Sequence, residues 1–123
     1  MSVFPLKPKS GKVENPPMPA TIRVGYIDFT VINWPYGEAS ANGSDGECLM
    51  HMQIIHVRDD LQPSRKANVL LHEVLHAAYN IGDLTDTSPE EKTVTVLANQ
   101  MTQVWRDNPD FIAFMEASLR GGK

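Results

Sequence analysis

The sequence predicts an α+β fold in one compact domain, and three observations carry that expectation. β-branched and aromatic residues crowd the stretch from Thr21 to Asn33, a second such run spans Cys48 to Arg58, and everything after Pro63 follows helical period. A chain of 123 residues has room for one core and not for two.

Charge and composition remove several classes of function. With 11 Lys+Arg against 15 Asp+Glu the net charge is −4, so nothing draws this surface onto phosphate backbones, and no basic stripe suits a helix for reading DNA. Nucleic acid is therefore not an expected partner. No apolar run approaches the roughly 20 residues that cross a bilayer, so no membrane partner is expected either. Pro5, Pro8, Pro16, Pro17 and Pro19 interrupt the region where a signal peptide would be apolar, and nothing predicts export. The single cysteine, Cys48, has no partner for an internal disulfide, which fits a reducing compartment.

The elements follow in order. Residues 1–20 combine those prolines with Lys7, Lys9 and Lys12, and read as an extended N-terminal arm preceding a domain over 21–123. Phe4, Leu6 and Val13 would be its anchors on a partner. In Thr21 to Asn33 the apolar phase slips near Gly25 and Tyr26, which predicts a bulge or tight bend there. Trp34 to Gly46 holds Pro35, Gly37, Asn42, Gly43, Asp45 and Gly46 and reads as a loop. Cys48 to Arg58 then returns as one strand, in a hairpin or meander with the first. Helices are expected over about 64–80, with Gly82 just beyond the end, from Ser88 and Pro89 to about Arg106, and from Pro109 to Gly121, the last with Phe111, Phe114, Met115 and Leu119 on one side.

The informative segment is LLHEVLHAAYN, Leu70 to Asn80. At about 100° per residue, Leu70, Leu71, Val74, Leu75, Ala77 and Ala78 cover nearly half the helix, while Asn68, His72, Glu73, His76 and Tyr79 share the rest. His72 and His76 are four apart, so their imidazoles stand one turn apart on the same face and can grip one ion. Glu73 follows the first histidine by one position, which sets it beside such an ion as a proton acceptor.

His72, Glu73, Val74, Leu75 and His76 form the HExxH motif, and the chain from there resembles the zincin class of zinc metallopeptidases. The resemblance extends over about residues 22–108, and its nearest form is that of small phage-encoded and ImmA/IrrE-like metallopeptidases. It implies a minimal zincin-like core, a short antiparallel hairpin or sheet followed by two or three packed helices. A catalytic zinc takes three protein ligands and keeps one position for water. The metzincin continuation is excluded, because Ala77, Ala78, Tyr79 and Asn80 follow His76 and no later histidine exists. The gluzincin pattern takes a glutamate from the next helix, where helical phase admits both Glu90 and Glu91. The resemblance selects Glu91, three residues before the apolar stripe of Val94, Leu97, Ala98, Met101, Val104 and Trp105. Against it stands a capping box in which Glu91 folds back on the Ser88 amide. The sequence departs from its relatives in lacking the ExxAN signature, with Val94 and Thr95 in its place, and in carrying Leu75 where many have glycine.

The resemblance therefore implies a Zn2+-dependent peptidase with metal ligands His72, His76 and Glu91 and Glu73 as general base, acting on a peptide or protein. Tyr79 and His56 are candidate donors to the tetrahedral oxyanion, and Asp83 or Asp86 could orient a ligand histidine. His51 and His56 read as strand residues rather than ligands, Met50, Met52 and Met101 as core filling, and Cys48 as inert. A rival expectation is a phage virion or assembly protein that keeps the fold and binds other virion proteins through its arm. The expected location is the cytoplasm, that of the host cell for a phage gene, or the virion.

Overall fold

A computed structural model describes residues 16–121. The first fifteen residues of the expected arm lie outside them, and 16–20 form neither helix nor strand. The fold is α+β, a four-stranded mixed sheet with four helices. In chain order the elements are β1 (Thr21–Val24), β2 (Ile27–Trp34), α1 (Tyr36–Asn42), β3 (Gly46–Leu49), β4 (Ile54–Arg58), α2 (Pro63–Ile81), α3 (Glu90–Asp107) and α4 (Pro109–Arg120). No helix among the described residues is long and apolar enough to cross a membrane.

The phase slip near Gly25 is a chain reversal. β1 and β2 are antiparallel with Val24 opposite Ile27, so Gly25 and Tyr26 alone make the turn. Gly25 takes φ +61° there, and Tyr26 keeps the negative φ of an ordinary residue, the sign pattern of a type II′ hairpin. Ile22, Val24, Ile27 and Phe29 consequently share the buried face.

The expected single strand over Cys48 to Arg58 divides in two. Met50 to Gln53 form a turn in which Gln53 adopts φ +57°, so β3 and β4 are themselves an antiparallel pair. β4 then lies parallel to β2, with Val31 opposite Ile55, and the sheet order is β1-β2-β4-β3. The expected hairpin between the first and second runs is thus a parallel pairing. The expected loop after Trp34 contains the short helix α1, and its start covers the far face of the sheet. There Trp34 stacks on His56 with ring centroids 5.0 Å apart, and Tyr36 lies 4.8 Å from the Arg58 guanidinium.

The core lies between the opposite face and the helices. Ile22, Val24, Phe29, Ile55 and Val57 meet Leu70, Val74, Ala77 and Ala78 of α2, Val104 of α3 and Phe111 and Phe114 of α4. The two small alanines bring α2 close to the sheet, and each large buried side chain contributes about 1.5–3 kcal/mol. Two sequence expectations shift here. Inward residues of α3 are Thr93, Val96, Leu97, Gln100, Met101, Gln103 and Val104, so the stripe is rotated and Val94, Ala98 and Trp105 face solvent. In α4 Ser118 takes the buried place expected of Leu119, which is exposed.

The two sheet edges differ. At β1, side chains from the α3–α4 corner substitute for a neighbouring strand: Arg23 N–H donates to Asn108 Oδ1 at 2.7 Å, Asn108 Nδ2 and Gln103 Nε2 donate to the Arg23 carbonyl, and Gly25 N–H donates to Gln103 Oε1 at 2.6 Å. That edge is closed. At β3 no strand among the described residues pairs on the outer side.

Candidate metal centre and cleft

α2 begins at Pro63, whose fixed φ suits the first helical turn, and ends at Gly82, whose N–H donates to Ala78 O and which α3 approaches so closely that an added Cβ would overlap Val96 Cγ1. This helix places His72 and His76 on its exposed side. Their Nε2 atoms stand 3.1 Å apart and the rings meet edge to face, with centroids 4.8 Å apart.

That separation tests the fit of a metal. Two imidazole nitrogens on a tetrahedral zinc at about 2.0–2.1 Å would stand about 3.3 Å apart. The pair observed is within a few tenths of an ångström of that, a distance at which one ring N–H donates to the other ring nitrogen when no ion stands between them. As two ligands, His72 and His76 fit zinc.

Glu73 sits differently. It is only 6% exposed, yet it lines the cleft with both histidines, and it has no hydrogen-bond partner among the described residues. Burial pushes its carboxyl above the ordinary range; the His72 and His76 rings pull it back, and the nearby Glu47 carboxylate adds to the rise. Its Oε2 faces Gly46 of β3, where an added Cβ would lie 3.2 Å from it. A glycine at that point lets the strand approach the helix.

β3 is therefore one wall of the cleft and α2 the floor. The opening has two lobes of about 340 and 370 Å3 that share Ser44, Gly46, His72 and Glu73. Arg58 N–H donates to Asp45 O, so by antiparallel alternation Glu47 and Leu49 bond to β4 while the N–H and C=O of Gly46 and Cys48 point to the open edge. The Ser44 hydroxyl donates to the Gly46 carbonyl at 2.7 Å.

The other residues singled out in the sequence are dispersed. Glu90 and Glu91 are exposed in the first turn of α3, and the Thr95 hydroxyl donates to Glu91 Oε2 at 3.4 Å. Among the described residues no group of three His, Cys, Asp or Glu side chains gathers, so the structure pairs His72 with His76 and adds no third ligand. The capping box that rivalled Glu91 as a ligand is not formed: Pro89 is the N-cap, and the Ser88 hydroxyl accepts from Thr85 N–H. Relative to the inward face of α3, helical period sets Glu90 in line with Leu97 and Val104, and Glu91 about a third of a turn away.

His56 lies on the far face of the sheet, its Nδ1 2.8 Å from Glu47 Oε2. Tyr79, Asp83 and Asp86 do not line the cleft, and His51 lies in the turn between β3 and β4. Cys48 does line it, with burial pushing its thiol up to about 11, and lies 3.8 Å from Met50 Sδ. Sequence reasoning missed Ser44, Gly46, Glu47, Arg65 and Asn80 as cleft residues. Arg65 and Asn80 left a signal, since they lie seven positions before His72 and four after His76 on the same face.

Neither family models, curated proteins nor solved structures offer a match to this chain.

Proposed function

We propose that the chain is a zinc-dependent metallopeptidase. The observation that supports this reading best is Glu73, a buried carboxylate with no hydrogen-bond donor among the described residues, which opens into a cleft beside two imidazoles whose Nε2 atoms stand 3.1 Å apart. A structural role would leave it expensively desolvated, whereas a general base needs this placement.

His72 and His76 would hold the zinc; the resemblance supplies Glu91, or Glu90 one position earlier, as the third ligand, and either would have to move to join the pair. When bound, the ion lowers the pKa of a water toward about 7 and polarises a carbonyl. Glu73 takes the proton of the attacking water as its oxygen bonds to the peptide carbon. It then delivers that proton to the nitrogen as the C–N bond breaks. The open side of β3 supports a peptide as substrate, because an extended chain adds to a free edge through the Gly46 and Cys48 main-chain groups.

The test is hydrolysis of a denatured protein by zinc-loaded chain, with Glu73→Gln in parallel. Cleavage reduced at least about 100-fold in a variant that keeps its metal supports the reading. Undiminished cleavage by that variant, or none by the zinc-loaded parent, overturns it.

A further inference from the structure

The cleft continues past the histidines toward the start of α2. Arg65 and Asn68 precede His72 by seven and four residues, so one polar stripe runs Arg65, Asn68, His72, His76 along the floor. Opposite them the wall is Gly43, Ser44, Asp45 and Gly46. Arg65 Nη2 donates to Asp45 Oδ2 at 2.8 Å, and Nη1 reaches Asn68 Oδ1 at 3.4 Å. Asp45 is anchored from behind, where its Oδ1 accepts from Arg58 Nη1 at 2.9 Å, and Arg58 is itself held by Asp60 at 2.5 and 3.1 Å. The chain Arg65–Asp45–Arg58–Asp60 balances two guanidinium groups with two carboxylates, so what Arg65 offers is a fixed set of free N–H donors and not excess charge. The Arg65 side chain is 55% exposed, and its remaining N–H groups have no acceptor among the described residues. A guanidinium fixed on one side and free on the other is built to receive a carboxylate.

Direction follows from the wall. Gly46 lies against Val69 and Glu73, while Cys48 shares its lobe of the cleft with His76 and Asn80, so β3 and α2 run in the same sense. A chain added antiparallel to β3 then runs from Asn80 toward Arg65, and the part beyond the cleaved bond reaches the Arg65 end. Seven helical residues span about 10 Å, which an extended peptide covers in about three residues.

We infer that Arg65, positioned by Asp45, is a specificity-determining residue that binds a substrate carboxylate two or three residues to the C-terminal side of the cleaved bond. The carboxylate is an acidic side chain or the free terminus of the peptide. This inference rests on the peptidase reading above.

The experiment digests a synthetic peptide library of randomised sequence, made with free and with amidated C-termini, with zinc-loaded chain, Arg65→Gln and Arg65→Glu, and identifies the cleaved bonds by mass spectrometry. Asp and Glu enriched up to about fivefold at that position, the upper range for a half-exposed ion pair, are expected; cuts near the terminus that amidation abolishes identify the terminal carboxylate instead. Arg65→Gln should flatten the enrichment to about onefold, and Arg65→Glu should move it to Lys and Arg. Cleavage without such preference, or an enrichment that survives Arg65→Gln, overturns the subsite and leaves the peptidase reading standing. Absence of any cleavage by the zinc-loaded parent overturns both.

Discussion

Replacing Gly46 by alanine tests whether β3 is held against α2 as the cleft requires. The new Cβ would stand 2.7 Å from Val69 Cγ1, 2.9 Å from the His56 carbonyl oxygen and 3.2 Å from Glu73 Oε2. Carbon pairs rest at about 3.5–4.0 Å, so the Val69 contact is short by about 1 Å. Val69 cannot swing aside cheaply, because a β-branched side chain in a helix has one strongly preferred rotamer. The His56 carbonyl belongs to β4 and moves only with the sheet. β3 must therefore retreat, at a cost of about 1–3 kcal/mol. For a chain of this length that lowers Tm by about 4–12 °C. Thermal and urea unfolding followed by circular dichroism measure it, with Val69→Ala and the double variant completing a cycle. The double variant should be more stable than the sum of the single effects by about 1 kcal/mol, since Val69→Ala removes the nearest clashing atom. A Gly46→Ala protein within about 0.5 kcal/mol of the parent, or a strictly additive cycle, would refute the close approach.

Lys66 offers a test with a pH signature. It is 5% exposed, its ammonium makes one hydrogen bond among the described residues, to Asn33 Oδ1 at 3.3 Å, and burial holds that ammonium below the ordinary lysine range despite Asp59 and Asp60 nearby. Lys66→Met should raise stability near neutral pH by about 1 kcal/mol. In the parent the unfolded chain binds the proton more tightly than the folded one, so parent stability rises with pH and the gain should vanish as pH nears about 10.4; denaturant melts at pH 7 and pH 10 decide it. Asn108→Ala removes two hydrogen bonds that join the α3–α4 corner to β1 and a third to the Val104 carbonyl at the end of α3, and leaves buried groups unpaired. A loss of about 2–4 kcal/mol is expected in urea unfolding, against less than about 1 kcal/mol for exposed Arg120→Ala as control.

Most of the secondary structure was legible because it depends on local signals. Pro63, Gly82, Pro89 and Pro109 bracket the helices close to the observed ends, and Gly25 marked the first turn. The division of β3 from β4 was not legible, since Met50-His51-Met52-Gln53 contains no Gly, Pro, Asn or Asp and the turn sets Gln53 at positive φ. Parallel pairing of β2 with β4 was hidden too, because register between distant strands is decided by the shared core and not by either strand alone. At the site, the spacing of His72 and His76 carried the imidazole pair and Glu73 directly. The cleft wall was out of reach, as nothing near Ser44, Asp45 or Gly46 announces that an edge strand passes over α2. The rotation of α3 had the same origin: Val94 and Trp105 are apolar, but Gln100 and Gln103 face β1, where Gln103 closes its edge.

The central claim is that His72 and His76 are halves of one zinc site. The most direct measurement is zinc per folded chain after equilibration with zinc and removal of the excess, for the parent, His72→Ala and His76→Ala. One zinc per chain in the parent and none in either variant is the predicted result. A folded parent that retains no zinc, or a variant that retains it in full, would contradict the account.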